Sequence, residues 1–193
     1  MTTHDTSPLD LLDQRRSVPS RQLGAPGPDA AQLDRLLRAA VRVPDHGKLV
    51  PFRLIALRGD ARQRFGDAIA DIHARVDPDV SPSKLDKDRS RYGDAPLILV
   101  VVARLDEQHS KVPAQEQLLS AGCVAYNLLL GAQALGFGAQ WLTGWAAYDR
   151  EVAALLGLAA SEHVIAFVHI GTPKEEAPER TRPALEDVLS TWP

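Results

Sequence analysis

The most suggestive chemistry in these 193 residues is arginine placed close to chain turns. Arg15-Arg16-Ser17 sets two forked, permanently charged donors beside a hydroxyl. Such a group suits a phosphate or an anionic ring, because a guanidinium can meet two oxygens at once. It equally describes a solvated helix end, where the dipole favours positive charge. Arg42 and His46 bracket a turn at Pro44, either a second contact for an anion or heterocycle or ordinary surface. Arg180 and Arg182 lie in a charged tail and on their own describe solvated residues.

Familiar catalytic constellations are missing. There is no G-x-S-x-G nucleophile elbow and no G-x-x-x-x-G-K-[ST] phosphate loop. Gly136-Phe137-Gly138 is a lone G-x-G that follows a helical pattern rather than a strand, the wrong context for a dinucleotide fingerprint. The six histidines are scattered. His163 and His169 could face the same way along one strand, yet six residues of strand separate them by roughly 20 Å, so they cannot share an ion. No metal is expected. Cys123, the single cysteine, lies in an apolar helix and reads as core rather than nucleophile. One cysteine rules out an intrachain disulfide framework and suits a reducing compartment. A formal charge of −3 gives no general reason to bind nucleic acid. The opening residues lack a basic region followed by an apolar run, so no secretory signal is read and a cytoplasmic location is expected.

These residues need a scaffold, and its centre is the stretch Gln115 to Trp141. No charged residue occurs from Leu118 to Leu142, and the apolar positions do not keep to one helical stripe. A helix apolar on nearly every side is a membrane span or the middle of a core. Gly122, Gly131, Gly136, Asn127, Gln133 and Gln140 make it a poor lipid-facing surface, so a buried central helix is expected.

Around it the chain reads as mixed helix and strand. Ser7-Pro8 opens a short helix running into Arg15, and Asp29 opens a second with Leu33, Leu36 and Leu37 on one face. Phe52–Leu57 reads as a strand and Asp60–Val76 as a helix. Residues 77–94 are charged and without a convincing period, and read as a mobile excursion over the surface, with room for part of it to be helical. Leu97–Ala103 is a strand buried on both faces, Ala139–Leu142 is strand-like, Asp149 caps a short helix, and Val164–Ile170 is another buried strand. From Thr172 onward the tail has only Leu185, Val188 and Leu189 as anchors, so it is disordered or packed against something else, such as a second subunit. The class is α+β, one domain over residues 1–193, with 1–6 expected to be flexible and 172–193 an extended tail.

Taken in order, RRS at 15–17, RVPDH at 42–46, the run from His109 through GFGAQW at 136–141, and Gly171-Thr172-Pro173 resemble the flavin-dependent nitroreductase superfamily, in particular its short bacterial NAD(P)H nitroreductases. The resemblance implies a nitroreductase-like α+β fold: a central mixed sheet flanked by helices, with the apolar helix at the centre of an intertwined homodimer. It implies FMN as cofactor, held between subunits, with NAD(P)H as reductant. Arg15, Arg16 and Ser17 would hold its phosphate and ribityl chain, and Arg42 and His46 would reach it from the other subunit. Trp141, Leu142 and Thr143 would lie along the isoalloxazine, and Arg180 and Arg182 would return to the phosphate. Gly131, Ala132, Gln133, Ala134, Leu135 and Gly136 correspond to the nicotinamide-nucleotide region. The implied reaction is ping-pong hydride transfer to nitroaromatics, quinones or similar electron-poor small molecules, with no catalytic side chain nominated. A specialised flavin dehydrogenase or dehalogenase with 77–94 as lid, and an FMN storage or sensing protein, stay open beside it. Two departures matter. Pro19 stands where many relatives carry lysine, and Leu142 where close relatives carry a basic residue. Both remove positive charge expected near the flavin edge that becomes anionic on reduction.

Overall fold

The computed structural model describes residues 7–192. The expectation for residues 1–6 lies outside that range.

Three strands form the spine. β3 (Leu97–Arg104) is the apolar run LILVVVAR, buried on both faces up to its last residue. It pairs on one side with β2 (Phe52–Arg58) and on the other with β5 (Glu162–Pro173). β4 (Gly138–Leu142) adds to the far side of β5, and a two-residue β1 (Leu23–Gly24) pairs with the end of β5. Every described strand pair is antiparallel, whereas the resemblance implied a mixed sheet. A single helix joins β3 to β4, so the two run in the same direction. β5 lies between them, and every adjacent pair is therefore antiparallel.

Alternation along β3 sends Leu97, Leu99, Val101 and Ala103 to one side and Ile98, Val100 and Val102 to the other. The first side is covered by α2 (Ala30–Ala40) and α5 (Ala114–Ala134). The second is covered by α3 (Asp60–Val76), through Phe65, Ile69 and Ile72, and by α6 (Arg150–Leu155), through Val152. The expected helix starts are present. Asp29 and Gln32 form a capping box, as do Ser7 and Asp10 at α1 (Pro8–Asp13), and Asp149 accepts from the Glu151 and Val152 N–H groups.

One segment departs from its sequence reading. Residues 77–94 are not a loose excursion; they contain α4 (Pro82–Arg91), packed on α3. No apolar stripe announces it because it packs by close backbone approach. A Cβ on Gly66 would collide with the Arg89 carbonyl, and the residue α4 buries is Asp88. Its carboxylate meets His73 Nδ1 at 2.5 Å and accepts from Trp145 Nε1 at 3.4 Å.

The two strand histidines also separate. A bulge at Ile165 shifts the β3–β5 register between Val101 and Val102, so that His163 opposes Ala103 and His169 opposes Ile98. These partners lie on opposite faces of β3. His163 is exposed, whereas His169 is fully buried. Near the end of the chain, a short α7 (Leu185–Val188) leaves Leu185, Val188, Leu189 and Trp192 exposed. Among the described residues no helix is long and apolar enough to cross a membrane.

Candidate cofactor site

The chain after α1 is pinned to β4. Val18 N–H donates to the Ala139 carbonyl at 3.0 Å, and Ser20 N–H to Gln140 Oε1 at 2.6 Å. α1 ends at Asp13, earlier than the sequence suggested, because Arg16 Nη1 turns back to the Asp13 and Arg15 carbonyls at 2.6 and 3.1 Å. Arg15-Arg16-Ser17 is thus irregular chain between α1 and the Val18 bond to β4, with Arg15 Nη1 donating to Ser17 Oγ at 3.3 Å.

The tail returns to this spot. Lys174 N–H donates to the Gln22 carbonyl at 2.8 Å, and Gln22 Nε2 to Glu175 at 2.9 Å. Further along, Arg182 Nη2 donates to the Arg15 carbonyl at 3.3 Å. Glu179 pairs with Arg16 and, at 3.1 Å, with Arg182. The Arg180 backbone N–H and the nearby Arg16 and Arg182 hold the Glu179 carboxyl below its usual range. A carboxylate bridging two guanidiniums shows that this donor set accepts an oxyanion, and the set fits the phosphate of a mononucleotide. Arg180 is exposed and contributes its N–H.

β4 leads from this cluster into a turn. Trp141 is held by its indole, whose Nε1 donates to the Ile165 carbonyl at 3.0 Å, the residue displaced by the bulge. Leu142 and Thr143 follow, partly buried, and Gly144 at φ +70° swings the chain into a short 3₁₀ turn at Trp145–Ala147. A left-handed residue is needed there and glycine supplies it without strain.

The end of α5 meets the same region. A cavity of about 540 Å³ is lined by Arg16, Gln133, Gly136, Phe137, Ala139 and Pro173, among others. Within the Gly131–Gly136 stretch, Gln133 Nε2 donates to the Leu11 carbonyl at 3.1 Å, and Ala134 and Gly136 are exposed. Gly131 instead abuts Leu36, Ala132 is fully buried and Leu135 partly so.

Arg42 and His46 sit elsewhere. Asn127 donates to the Ala40 and Arg42 carbonyls, Ser120 Oγ to the Pro44 carbonyl at 2.8 Å, and His46 Nδ1 meets Glu116 at 2.7 Å. The loop is drawn tight by Asp45, which accepts from Leu49 and Val50 N–H, and by left-handed Gly47, Lys48 and Val50. Glu116 and Gln133 are 17 residues apart on α5, a span of about 25 Å. One chain therefore gathers Arg15, Arg16, Ser17, Arg182 and Gln133 at one end of α5, leaves His46 at the other, and holds the Arg42 carbonyl at Asn127 between them.

Two contributors escaped sequence reasoning. Gln140 fixes the segment behind Ser17, and its only signal was a polar residue inside an apolar strand. Glu179 gave none, since a glutamate in a charged tail looks like solvated surface. Among the described residues, no three His, Cys, Asp or Glu side chains cluster to hold a metal ion.

Comparison with known proteins agrees in fold and in sequence. The nitroreductase family profile matches residues 12–172. Two proteins named "Putative NAD(P)H nitroreductase" are similar over most of their lengths. The Haemophilus influenzae protein is 38% identical over 174 residues, 90% of this chain and 92% of its own. YdjA of Escherichia coli K12 is 35% identical over 169 residues, 88% of this chain and 90% of its own. Among solved structures, a nitroreductase-like family protein from Bacillus cereus superposes with a TM-score of 0.82 at 23% identity, covering 100% of this chain and 98% of that one. A Desulfovibrio desulfuricans protein solved in complex with FMN superposes at 0.74 and 21% identity, with 100% of both chains covered.

Proposed function

The chain belongs to the nitroreductase family, and from that premise we propose that it is an FMN-dependent NAD(P)H oxidoreductase, a single cytoplasmic FMN-binding domain that works as a homodimer. Its acceptors are nitroaromatics, quinones or similar electron-poor small molecules, reduced in a ping-pong cycle. When bound, FMN supplies the redox chemistry, so the protein needs no acid, base or nucleophile of its own. This chain's residues bind, orient and exclude water. Arg15, Arg16, Ser17 and Arg182 take the phosphate end, with Glu179 turned aside, and Arg180 adds charge nearby. Gln140 and Ala139 keep that segment on β4. Trp141, Leu142 and Thr143 offer a backbone edge and one hydroxyl to the ring, with the indole held against Ile165. Gln133, Ala134 and Gly136 are the surface residues of the stretch assigned to the nicotinamide nucleotide, and Gly131, Ala132 and Leu135 shape it from beneath.

The observation that carries this reading is the convergence of Arg15, Arg16, Ser17 and Arg182 beside β4, the strand that leads into the Trp141–Thr143 turn. The homodimer rests on a second. His46, tied to Glu116, is about 25 Å along α5 from Gln133, too far to share one cofactor with that cluster within a chain, whereas the Arg42 carbonyl is met by Asn127, about 9 Å from Gln133. An antiparallel pairing of two α5 helices would bring the partner's copy of that loop to this end. The exposed side of α5 carries Leu119, Cys123 and Tyr126, and a Cβ at Gly122 would meet open space, the surface such a pairing uses.

The first test is the visible spectrum of purified protein with chromatography of the released chromophore. FMN at about one per subunit is expected, and a colourless protein that takes up no added FMN would sink the reading. Arg15→Ala should weaken FMN retention by about 1.5–3 kcal/mol, whereas Arg21→Ala should leave it near wild type. Equal retention by the two variants would remove the phosphate assignment.

A further inference from the structure

Asp88 on α4 is 6% exposed, a place where a carboxylate loses most of its hydration. The packing of α4 does not ask for it. That helix is already held against α3 where the Arg89 carbonyl closes on Gly66, too tightly for a Cβ. The contacts of the carboxylate point elsewhere. One oxygen meets His73 Nδ1 at 2.5 Å, and the other accepts from Trp145 Nε1 at 3.4 Å. The His73 ring also lies on the Trp145 indole, with centroids 4.7 Å apart and planes at 47°. At 3.4 Å the hydrogen bond alone is long, so edge and face hold the indole together. Trp145 belongs to neither helix. It is the residue directly after Gly144.

That indole has a counterpart four residues earlier. Trp141 Nε1 donates to the Ile165 carbonyl at 3.0 Å, at the bulge of β5. The chain from Trp141 to Trp145 is therefore strung between two indoles, each fixed by its ring N–H. Between them β4 ends at Leu142, and Gly144 turns at φ +70°. Thr143 makes no hydrogen bond among the described residues. A span with so few bonds of its own keeps one conformation only if both ends are held. The first anchor is a backbone carbonyl of the sheet. The second is a side-chain cluster that α3 and α4 bring together.

We propose that His73 and Asp88 are positioning residues for the flavin ring. By clamping Trp145 they set where the Leu142–Gly144 backbone and the Thr143 hydroxyl stand at the edge of the isoalloxazine. The inference rests on the FMN reading above. Neither side chain meets the flavin; Trp145 passes their hold on through Gly144. Two contributions to binding are thereby separate. Arg15, Arg16 and Arg182 act on the phosphate, which FMN carries and riboflavin lacks. The clamp acts on the ring, which the two flavins share.

The experiment compares wild type, Trp145→Phe, Asp88→Ala and Asp88→Asn in FMN affinity, riboflavin affinity, the visible spectrum of the bound flavin, and thermal unfolding. Trp145→Phe keeps a ring against His73 but loses the N–H. It should weaken FMN and riboflavin alike by about tenfold, the scale of one hydrogen bond to a charged group. Its bound-flavin bands should move towards those of free flavin. Asp88→Ala should do the same. Asp88→Asn should stay within about twofold of wild type, because an amide offers an oxygen to Trp145 and an N–H to His73. Wild-type affinities and spectrum in Trp145→Phe overturn the proposal. So does a loss confined to FMN, which would place the effect at the phosphate. A loss in Asp88→Asn as large as in Asp88→Ala, or one no greater than the unfolded fraction explains, overturns it too. Wild-type protein that binds neither flavin would overturn the FMN reading itself, a result distinct from these.

Discussion

The two faces of the sheet are finished differently. On the α3 side, apolar residues Phe65, Ile69 and Ile72 meet the strands, α4 lies outside them, and the outermost surface is charged. Each layer ends in something water accepts. On the α5 side, Val124, Ala125 and Leu128 face the strands with no exposure, but the opposite side of the same helix leaves Leu118 40%, Leu119 61% and Tyr126 40% exposed. That layer ends in apolar surface. One half of the molecule is complete in a single chain, whereas the other presents what a monomer seldom leaves uncovered. Buried core and exposed apolar surface are therefore two sides of one helix, and this explains why α5 carries no polar stripe.

The largest expected effect belongs to the finished half. Phe167→Ala removes a fully buried ring between Phe65 and Tyr92 and should lower stability by about 3–5 kcal/mol in chemical unfolding. That loss should be the same at every protein concentration. Concentration dependence would show that this half, too, relies on assembly.

A smaller effect, of a different kind, belongs to the unfinished half. Leu119→Glu should leave the helical circular dichroism unchanged and weaken self-association by at least about tenfold, roughly 1.4 kcal/mol, in sedimentation. Undiminished dimer at the same concentration would break the contrast.

The smallest sharpens the account of the α3 side. His169 is enclosed there with neither ring nitrogen hydrogen-bonded, and burial, then the charge of Arg91, brings its pKa from 6.5 to about 3. As pH falls, the unfolded chain takes up this proton first. Stability conferred by the neutral ring is complete above about pH 6.5 and drains away down to about pH 3. His169→Leu should cost less than about 1.5 kcal/mol at neutral pH and flatten the decline across that window. Parallel curves for the two proteins, measured by urea unfolding at several pH values, would deny His169 that role.

Much of this fold was legible because burial writes a period. β3 is apolar on both faces and sits between two sheet neighbours and two helix layers. α2 and α3 show their stripes, and Asp29 and Asp149 mark the helix starts they cap. α4 was illegible for the converse reason: it packs through Gly66 and a buried aspartate, and neither makes a hydrophobic pattern. The bulge at Ile165 was hidden as well, because parity along β5 is decided by the strand beside it. Of the candidate site, Arg15-Arg16-Ser17 and Trp141–Thr143 could be picked out as motifs. The return of Arg182 to the Arg15 carbonyl is a tertiary fact that no local spacing encodes.

Glu179 has one more effect. Because it is tethered to the same chain, dilution does not lower its concentration at Arg16 and Arg182, so it acts as a resident competitor of fixed effective molarity. Any phosphate-bearing molecule arriving there exchanges with it rather than filling bare positive charge. Small anions that cannot also use the Trp141–Thr143 edge gain little from that exchange. On the FMN reading proposed above a whole nucleotide would gain both, and the tail would filter against the free phosphate that surrounds the protein.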